Sequence, residues 1–127
     1  KLLPVLEGNI ATLNSNLTFE LGSNINGHYK KYTNGLLEQW GNKYVGDYRN
    51  ANIIAGAIIF PISFIDANYV VNISKNGMGN QSDTVGASVC VEDKGIGGFS
   101  AYLQRESGGF KNGYGSTCGW CANGRWK

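Results

Sequence analysis

Proline is nearly absent, with two residues in a chain of 127. Proline-rich segments are thereby excluded, and the 19 glycines show no G-X-Y period, which excludes collagen. No apolar run approaches the roughly 20 residues that a membrane helix needs, so no membrane insertion is expected. An excess of one charge is also missing. Eleven basic groups against nine acidic ones leave +2, too balanced for a nucleic-acid footprint. Charged residues make up only 16% and hydrophobic residues 42%, which excludes a disordered acidic or basic tail. Cysteine is scarce and odd in number. Cys90, Cys118 and Cys121 cannot all pair within one chain, which argues for reduced thiols and assembly in a cytosol. The start, Lys1-Leu2-Leu3-Pro4, has no methionine and no signal-peptide pattern, the expectation for a processed product or a fragment. Sequons at Asn16, Asn72 and Asn80 read as chance matches in an asparagine-rich chain.

What is abundant is glycine with asparagine, the pair that tolerates positive φ and builds tight turns. One domain is the natural expectation at this length. The first 26 residues differ from the rest. Leu6, Ile10, Leu13 and Leu17 form a helical apolar stripe, either one strand of a short coiled coil or a helix packed on its own domain. Gly22 to Gly27 reads as a linker. From residue 27 the period is two. His28–Tyr32 and Leu36–Trp40 flank Thr33-Asn34-Gly35, a hairpin signal. Residues 41–52 read as a polar loop. Ile53–Phe60 is apolar almost throughout, as in a strand buried on both faces, and Pro61 ends it. Tyr69, Val71 and Ile73 alternate with polar neighbours, and residues 75–83 read as a glycine-rich loop. Val85, Ala87, Val89 and Val91 alternate with Thr84, Gly86, Ser88, Cys90 and Glu92. Asp93-Lys94-Gly95 turns the chain toward Phe99, Ala101 and Leu103. Residues 105–116 form a second glycine-rich loop, and a last strand covers about 117–126. Six or seven short strands predict an all-β antiparallel sandwich or barrel at residues 27–127, behind a helical stalk or linker at 1–26.

The most catalytic-looking string is Cys118-Gly119-Trp120-Cys121. Redox chemistry would use one thiolate to attack and the second to resolve. A strand would instead point the two sulfurs to opposite faces, and no room remains for the helix that usually underlies such a motif. Zinc would need about four ligands, and only distant Cys90 and His28 are at hand. His28 has no nucleophile elbow beside it. Asp66, Asp83, Glu92, Asp93 and Glu106 have no spacing that suggests a glycosidase pair. Gly95-Ile96-Gly97-Gly98 leads into a strand, so it is no phosphate loop. No metal or cofactor is expected, and no enzyme activity beyond the thiol alternative at Cys118 and Cys121.

Aromatic and polar loop residues remain. Tyr44, Tyr48 and Arg49 fall in one loop, and Arg105, Phe110, Lys111 and Tyr114 in the other. Aromatic faces stack on sugar rings, while arginine, asparagine and aspartate give directed hydrogen bonds to hydroxyls. These seven residues are the candidate ligand-binding set, carried by loops on a rigid sheet. Some of the aromatics could equally cap the ends of the core.

Three stretches carry a resemblance. Gly27-His28-Tyr29-Lys30-Lys31-Tyr32-Thr33-Asn34-Gly35-Leu36-Leu37-Glu38-Gln39-Trp40-Gly41 resembles the opening G-Y-x-K-x-x-N-G-L-I-x-Q-W-G of bacteriophage tail-fibre C-terminal domains. Ile59-Phe60-Pro61-Ile62-Ser63-Phe64 is similar to a T-F-P-I-A-F segment of that family. Trp120, Ala122, Gly124 and Trp126 fit its terminal W-x-A-x-G-x-W strand. The resemblance implies a homotrimeric β knob at the tip of a phage or tailocin tail fibre. It would bind a bacterial surface glycan or surface protein, with a structural folding or trimerisation cap as the alternative. It further implies Trp40, Phe60, Pro61, Trp120 and Trp126 as core and Asn34 and Gly35 as turn. Cys118 and Cys121 depart from the pattern, and the two long loops match no family pattern.

Overall fold

The computed structural model describes residues 18–76 and 84–127. Nine strands cross the described residues: β1 (Phe19–Asn24), β2 (Gly27–Tyr32), β3 (Leu36–Val45), β4 (Asp47–Asn50), β5 (Ile53–Ile59), β6 (Val70–Lys75), β7 (Ser88–Gly95), β8 (Gly98–Gln104) and β9 (Ser116–Arg125). They form two antiparallel sheets, ordered β1-β2-β3-β9-β6 and β4-β5-β8-β7. The all-β sandwich expected from the alternation is present. The apolar stripe Leu6, Ile10, Leu13 and Leu17 and residues 77–83 of the 75–83 loop lie outside the described residues.

Period two explains the two layers. Leu37 and Gln39 of β3, with Cys118, Trp120 and Ala122 of β9, turn inward from the first sheet. Ile54 and Ile58 of β5 meet them from the second, with Phe99, Ala101 and Leu103 of β8. The β2–β3 hairpin turns at Asn34-Gly35, as the dipeptide predicts. Gly35 takes φ +103°, and Leu36 N donates to Asn34 Oδ1 at 3.2 Å.

Several expectations are corrected. The linker drawn at Gly22–Gly27 is the end of β1, a two-residue turn and the start of β2, with Asn24 opposite Gly27. The first sheet therefore begins before residue 27. The polar loop drawn at 41–52 is mostly strand. Asn42, Lys43 and Tyr44 pair with Gly119, Cys118 and Thr117, so backbone bonding to β9 holds them extended although their side chains are polar. β7 begins at Ser88 rather than near Thr84, because residues 84–86 form a turn with Thr84 buried. Asp93, at φ 52°, belongs to a bulge in β7, and the tight turn is Ile96-Gly97. β5 is not covered on both faces, since Ile59 is 58% exposed.

Trp40, implied as core, is 39% exposed. Strand parity decides this: Leu37 and Gln39 face in, so Trp40 faces out, stacked on His28 at 5.8 Å. Trp126 is half-buried, and its Nε1 donates to Tyr32 O at 2.7 Å. Gln39 is a fully buried polar group. It is satisfied by the backbone of Ile62, which accepts from Nε2 at 2.9 Å and donates to Oε1 at 3.0 Å.

The core centres on Phe60, just before Pro61. Its ring meets Phe64 and Tyr69 edge-on at 5.0 Å, Trp120 at 5.5 Å and Phe99 at 5.8 Å. These partners come from both sheets and from the connection between β5 and β6. Replacing Phe60 with alanine is expected to cost about 3–5 kcal/mol, read from the midpoint of denaturant unfolding.

Tyr69 is buried, with its hydroxyl 2.8 Å from Gly95 O and 3.0 Å from Gly98 O. Burial raises its pKa above the ordinary value of 10, and the Gly95 hydrogen bond lowers it by less. The folded state therefore favours the neutral phenol. That stability is full below about pH 10, the unfolded value, and is lost as the pH rises through the folded one. In wild type this adds a loss of unfolding free energy above pH 10, which Tyr69→Phe should remove when the two chains are unfolded in parallel at pH 9 and 11.

Candidate functional site

One end of the sandwich gathers three of its connections. The register places Val45 beside Ser116 and Ile53 beside Gln104, so the β3–β4 crossing, the β4–β5 turn and the 105–115 segment share that end. Gly46 carries the chain from the first sheet to the second. The 105–115 segment is fastened to the β4–β5 turn. Arg105 N donates to Asn52 O and Phe110 N to Ala51 O, both at 3.0 Å. Asn52 Nδ2 donates to Arg105 O at 2.9 Å and Glu106 O at 3.1 Å. A long loop with this many anchors presents its side chains from a defined backbone.

The candidate residues divide. Tyr44 lies on β3 and is 52% exposed, with its ring packed over Gly115. Tyr48, 41% exposed, and Arg49, also exposed, lie on the edge strand β4 rather than in a loop. Lys111 is exposed and Tyr114 is half-buried against the core. Phe110 is a core residue, 2% exposed, so no ligand reaches its ring; Arg105 covers it at 4.5 Å. The rim that remains at this end is Tyr44, Tyr48, Arg49, Lys111 and the accessible part of Tyr114. It joins aromatic faces to basic groups.

The cysteines follow strand parity. Cys118 is buried on the inner face of β9, and Cys121 is half-buried on the other face. All three cysteines are free thiols. Two sulfurs on opposite sides of one strand do not meet the geometry of a disulfide. Burial raises the Cys118 thiol pKa, with nearby Lys75 opposing, and burial and then Glu92 raise that of Cys90. Both shifts run against the low-pKa thiolate of a redox nucleophile. Among the described residues no cluster of three or more histidine, cysteine or acidic groups could hold a metal ion. Iodoacetamide at pH 8 should label Cys121 well before Cys118 in the folded chain, by peptide mass mapping. Equal labelling would contradict the inward placement of Cys118.

A second surface feature was not anticipated. A cleft of about 610 Å³ opens where the β1–β2 turn meets the middle of β3, lined by Asn26, His28, Trp40, Asn42 and Trp120 among others. The Asn26-Gly27 dipeptide was the available signal. It has the same form as Asn34-Gly35 and marks a turn rather than a linker.

The architecture defines the class first: a two-sheet antiparallel β-sandwich with the 105–115 segment at one end and the β5–β6 connection at the other. Residues 31–125 match the family described as tail fiber protein gp53-like, C-terminal. The chain belongs to that family of tail-fibre C-terminal domains. No curated protein matches the sequence. Among solved structures, a C-terminal piece of the Pseudomonas aeruginosa R1 pyocin fibre is 18% identical with a TM-score of 0.55, over 85% of this chain and 28% of that one. An N-truncated R1-type pyocin tail fibre is 17% identical with a TM-score of 0.56, over 93% and 94% of the two chains. The tailspike protein gp49 of Pseudomonas phage LKA1 is 14% identical with a TM-score of 0.50, over 72% and 15%. These likenesses are of fold. The chain spans little more than a quarter of the longer pyocin fibre piece.

Proposed function

We propose that this domain is the receptor-binding tip of a phage or tailocin tail fibre, without enzymatic activity, which attaches to a bacterial surface glycan. The observation that carries the reading is the exposed rim of Tyr44, Tyr48, Arg49 and Lys111 on a backbone fastened by Asn52 and the Phe110 anchor. Aromatic faces match the C–H faces of sugars, and the basic groups match hydroxyl or anionic substituents. Membership of a family of tail-fibre C-terminal domains supports a binding role for such a surface.

The domain acts as a homotrimer assembled in the host cytoplasm. The register puts Phe19, Leu21, Leu36 and Val70 on the outer face of the first sheet, each at least 44% exposed. Unpartnered apolar surface of this kind is what subunits bury. Several weak sites per fibre then add to useful avidity.

The test is binding of fluorescent domain to a panel of bacteria, with the mass measured by light scattering. A trimer that labels particular strains is expected. Tyr48→Ala and Tyr114→Ala should each weaken labelling by about tenfold, the loss of one aromatic contact, with an unchanged unfolding midpoint for Tyr48→Ala and a lowered one for Tyr114→Ala, whose ring also packs on the core. Labelling that survives both substitutions would remove the rim. A trimer that labels no strain would favour the structural cap.

A further inference from the structure

Trp120 does two things at once. Its ring packs in the core against Phe60 at 5.5 Å and Phe99 at 6.3 Å, and the residue is only 4% exposed. Its outer edge nevertheless floors the cleft beneath Gly41. Gly41 leaves the indole uncovered: a methyl group there would stand 3.1 Å from Nε1 and Cζ2. The Nε1–H has no hydrogen-bond partner among the described residues, whereas the Nε1–H of Trp126 donates to Tyr32 O. The donor therefore stands at the cleft floor within reach of solvent, where an acceptor entering the cleft replaces water.

The walls are built to match. Asn24 shapes the β1–β2 turn. Its Oδ1 accepts from Asn26 N at 2.8 Å, and its Nδ2 donates to Pro61 O at 3.0 Å. The turn is thus held to the β5–β6 connection, which fixes Asn26 in the lining of the cleft. Asn42 Oδ1 accepts from Asn76 Nδ2 at 3.1 Å, which orients the Asn42 amide group. Trp40 supplies an exposed indole, steadied by the His28 imidazole at an interplanar angle of 21°. No aspartate, glutamate, lysine or arginine lines this cleft, and Lys43 borders only the adjoining recess.

We infer that this cleft is a binding site for a neutral pyranose, a hexose or N-acetylhexosamine unit. The sugar's C–H face lies against Trp40, and a hydroxyl or ring oxygen accepts from Trp120 Nε1–H. Carboxamides donate to and accept from hydroxyls in fixed directions, as a polyhydroxyl ring requires. An anionic sugar would leave its charge unmatched here, since the basic groups stand on the loop-end rim instead. The inference rests on the receptor-binding reading for its biological setting but names a different surface from that rim.

The test is two-dimensional NMR of the 15N-labelled domain, read at the indole N–H signals of Trp40, Trp120 and Trp126. Methyl glucoside, methyl galactoside, N-acetylglucosamine and N-acetylneuraminic acid are titrated in turn. Expected is a shift of the Trp40 and Trp120 signals with a neutral sugar and none at Trp126. Trp40→Ala, Asn26→Ala and Trp120→Phe should each weaken that affinity by about tenfold, the equivalent of one lost contact. Asn26→Ala lies in the turn and keeps the test available if a tryptophan variant fails to fold. A response only to N-acetylneuraminic acid would overturn the neutral class. A Trp40→Ala variant of lower mass by light scattering would overturn the site in favour of a contact with a second copy. Bacteria labelled equally by wild type and Asn26→Ala, with no sugar response, would overturn the cleft while leaving the receptor reading intact. A sugar response without labelling of any strain would support the cleft and sink the receptor reading.

Discussion

The packing of Phe60 against four other aromatic rings is the contact on which the two layers depend. Phe60 follows the end of β5, where Pro61 stops the strand, and the chain then loops through Phe64 and Tyr69 before entering β6. Its ring reaches Phe99 in one sheet and Trp120 in the other. A sandwich of two sheets has few covalent crossings, so side chains that touch both inner faces set the spacing. Phe64 and Tyr69 stack at 4.6 Å and close the same end. Backbone bonds reinforce it, with Phe60 N donating to Gly97 O, Phe64 N to Ile96 O and Ile65 N to Arg125 O. The β5–β6 connection is therefore a tied lid over the cluster rather than a loose loop.

With one end closed by aromatics, the other can hold irregular backbone. There β3 leaves the first sheet at Gly46, and the 105–115 segment returns from β8 to β9. Phe110 acts as a peg: its ring sits in the core, its N–H binds Ala51 O, and Arg105 lies over it. Without such a peg, a glycine-rich segment of this length would have many conformations and would lose much entropy on binding. The peg also explains how one aromatic of the loop can be structural while its neighbours Lys111 and Tyr114 retain surface.

Much of the framework was legible because it is local. Alternation marked Phe99, Ala101 and Leu103 as one face of a strand, Asn34-Gly35 marked a hairpin, and Pro61 marked a strand end. The inward set Trp120 and Ala122 follows from the same parity. What was not legible depends on distant pairing. Asn42, Lys43 and Tyr44 look like loop residues until β9 supplies a partner for their backbone. Ser23 and Asn24 look like linker until β2 folds back on them. The resemblance implied Trp40 as core, but a strand has only two faces and Leu37 and Gln39 had taken the inner one. Phe110 errs the other way, because nothing near it in sequence signals that Ala51 would hold its backbone. Tyr48 and Arg49 look like loop residues until β5 pairs with their strand and makes them part of β4.

The cleft follows from that same parity. β2 pairs with β3 only from His28 to Lys31, opposite Trp40 to Leu37. Beyond Trp40, β3 runs on with β9 on one side and the β1–β2 turn curling over the other. A side chain at position 41 would fill the gap; glycine leaves it open and uncovers the Trp120 edge. The N–H uncovered there belongs to a core residue, so its direction is set by Phe60 and Phe99 rather than by a mobile side chain. A donor fixed in this way loses little entropy when it binds, which favours a small rigid ring over a flexible ligand of equal contact area.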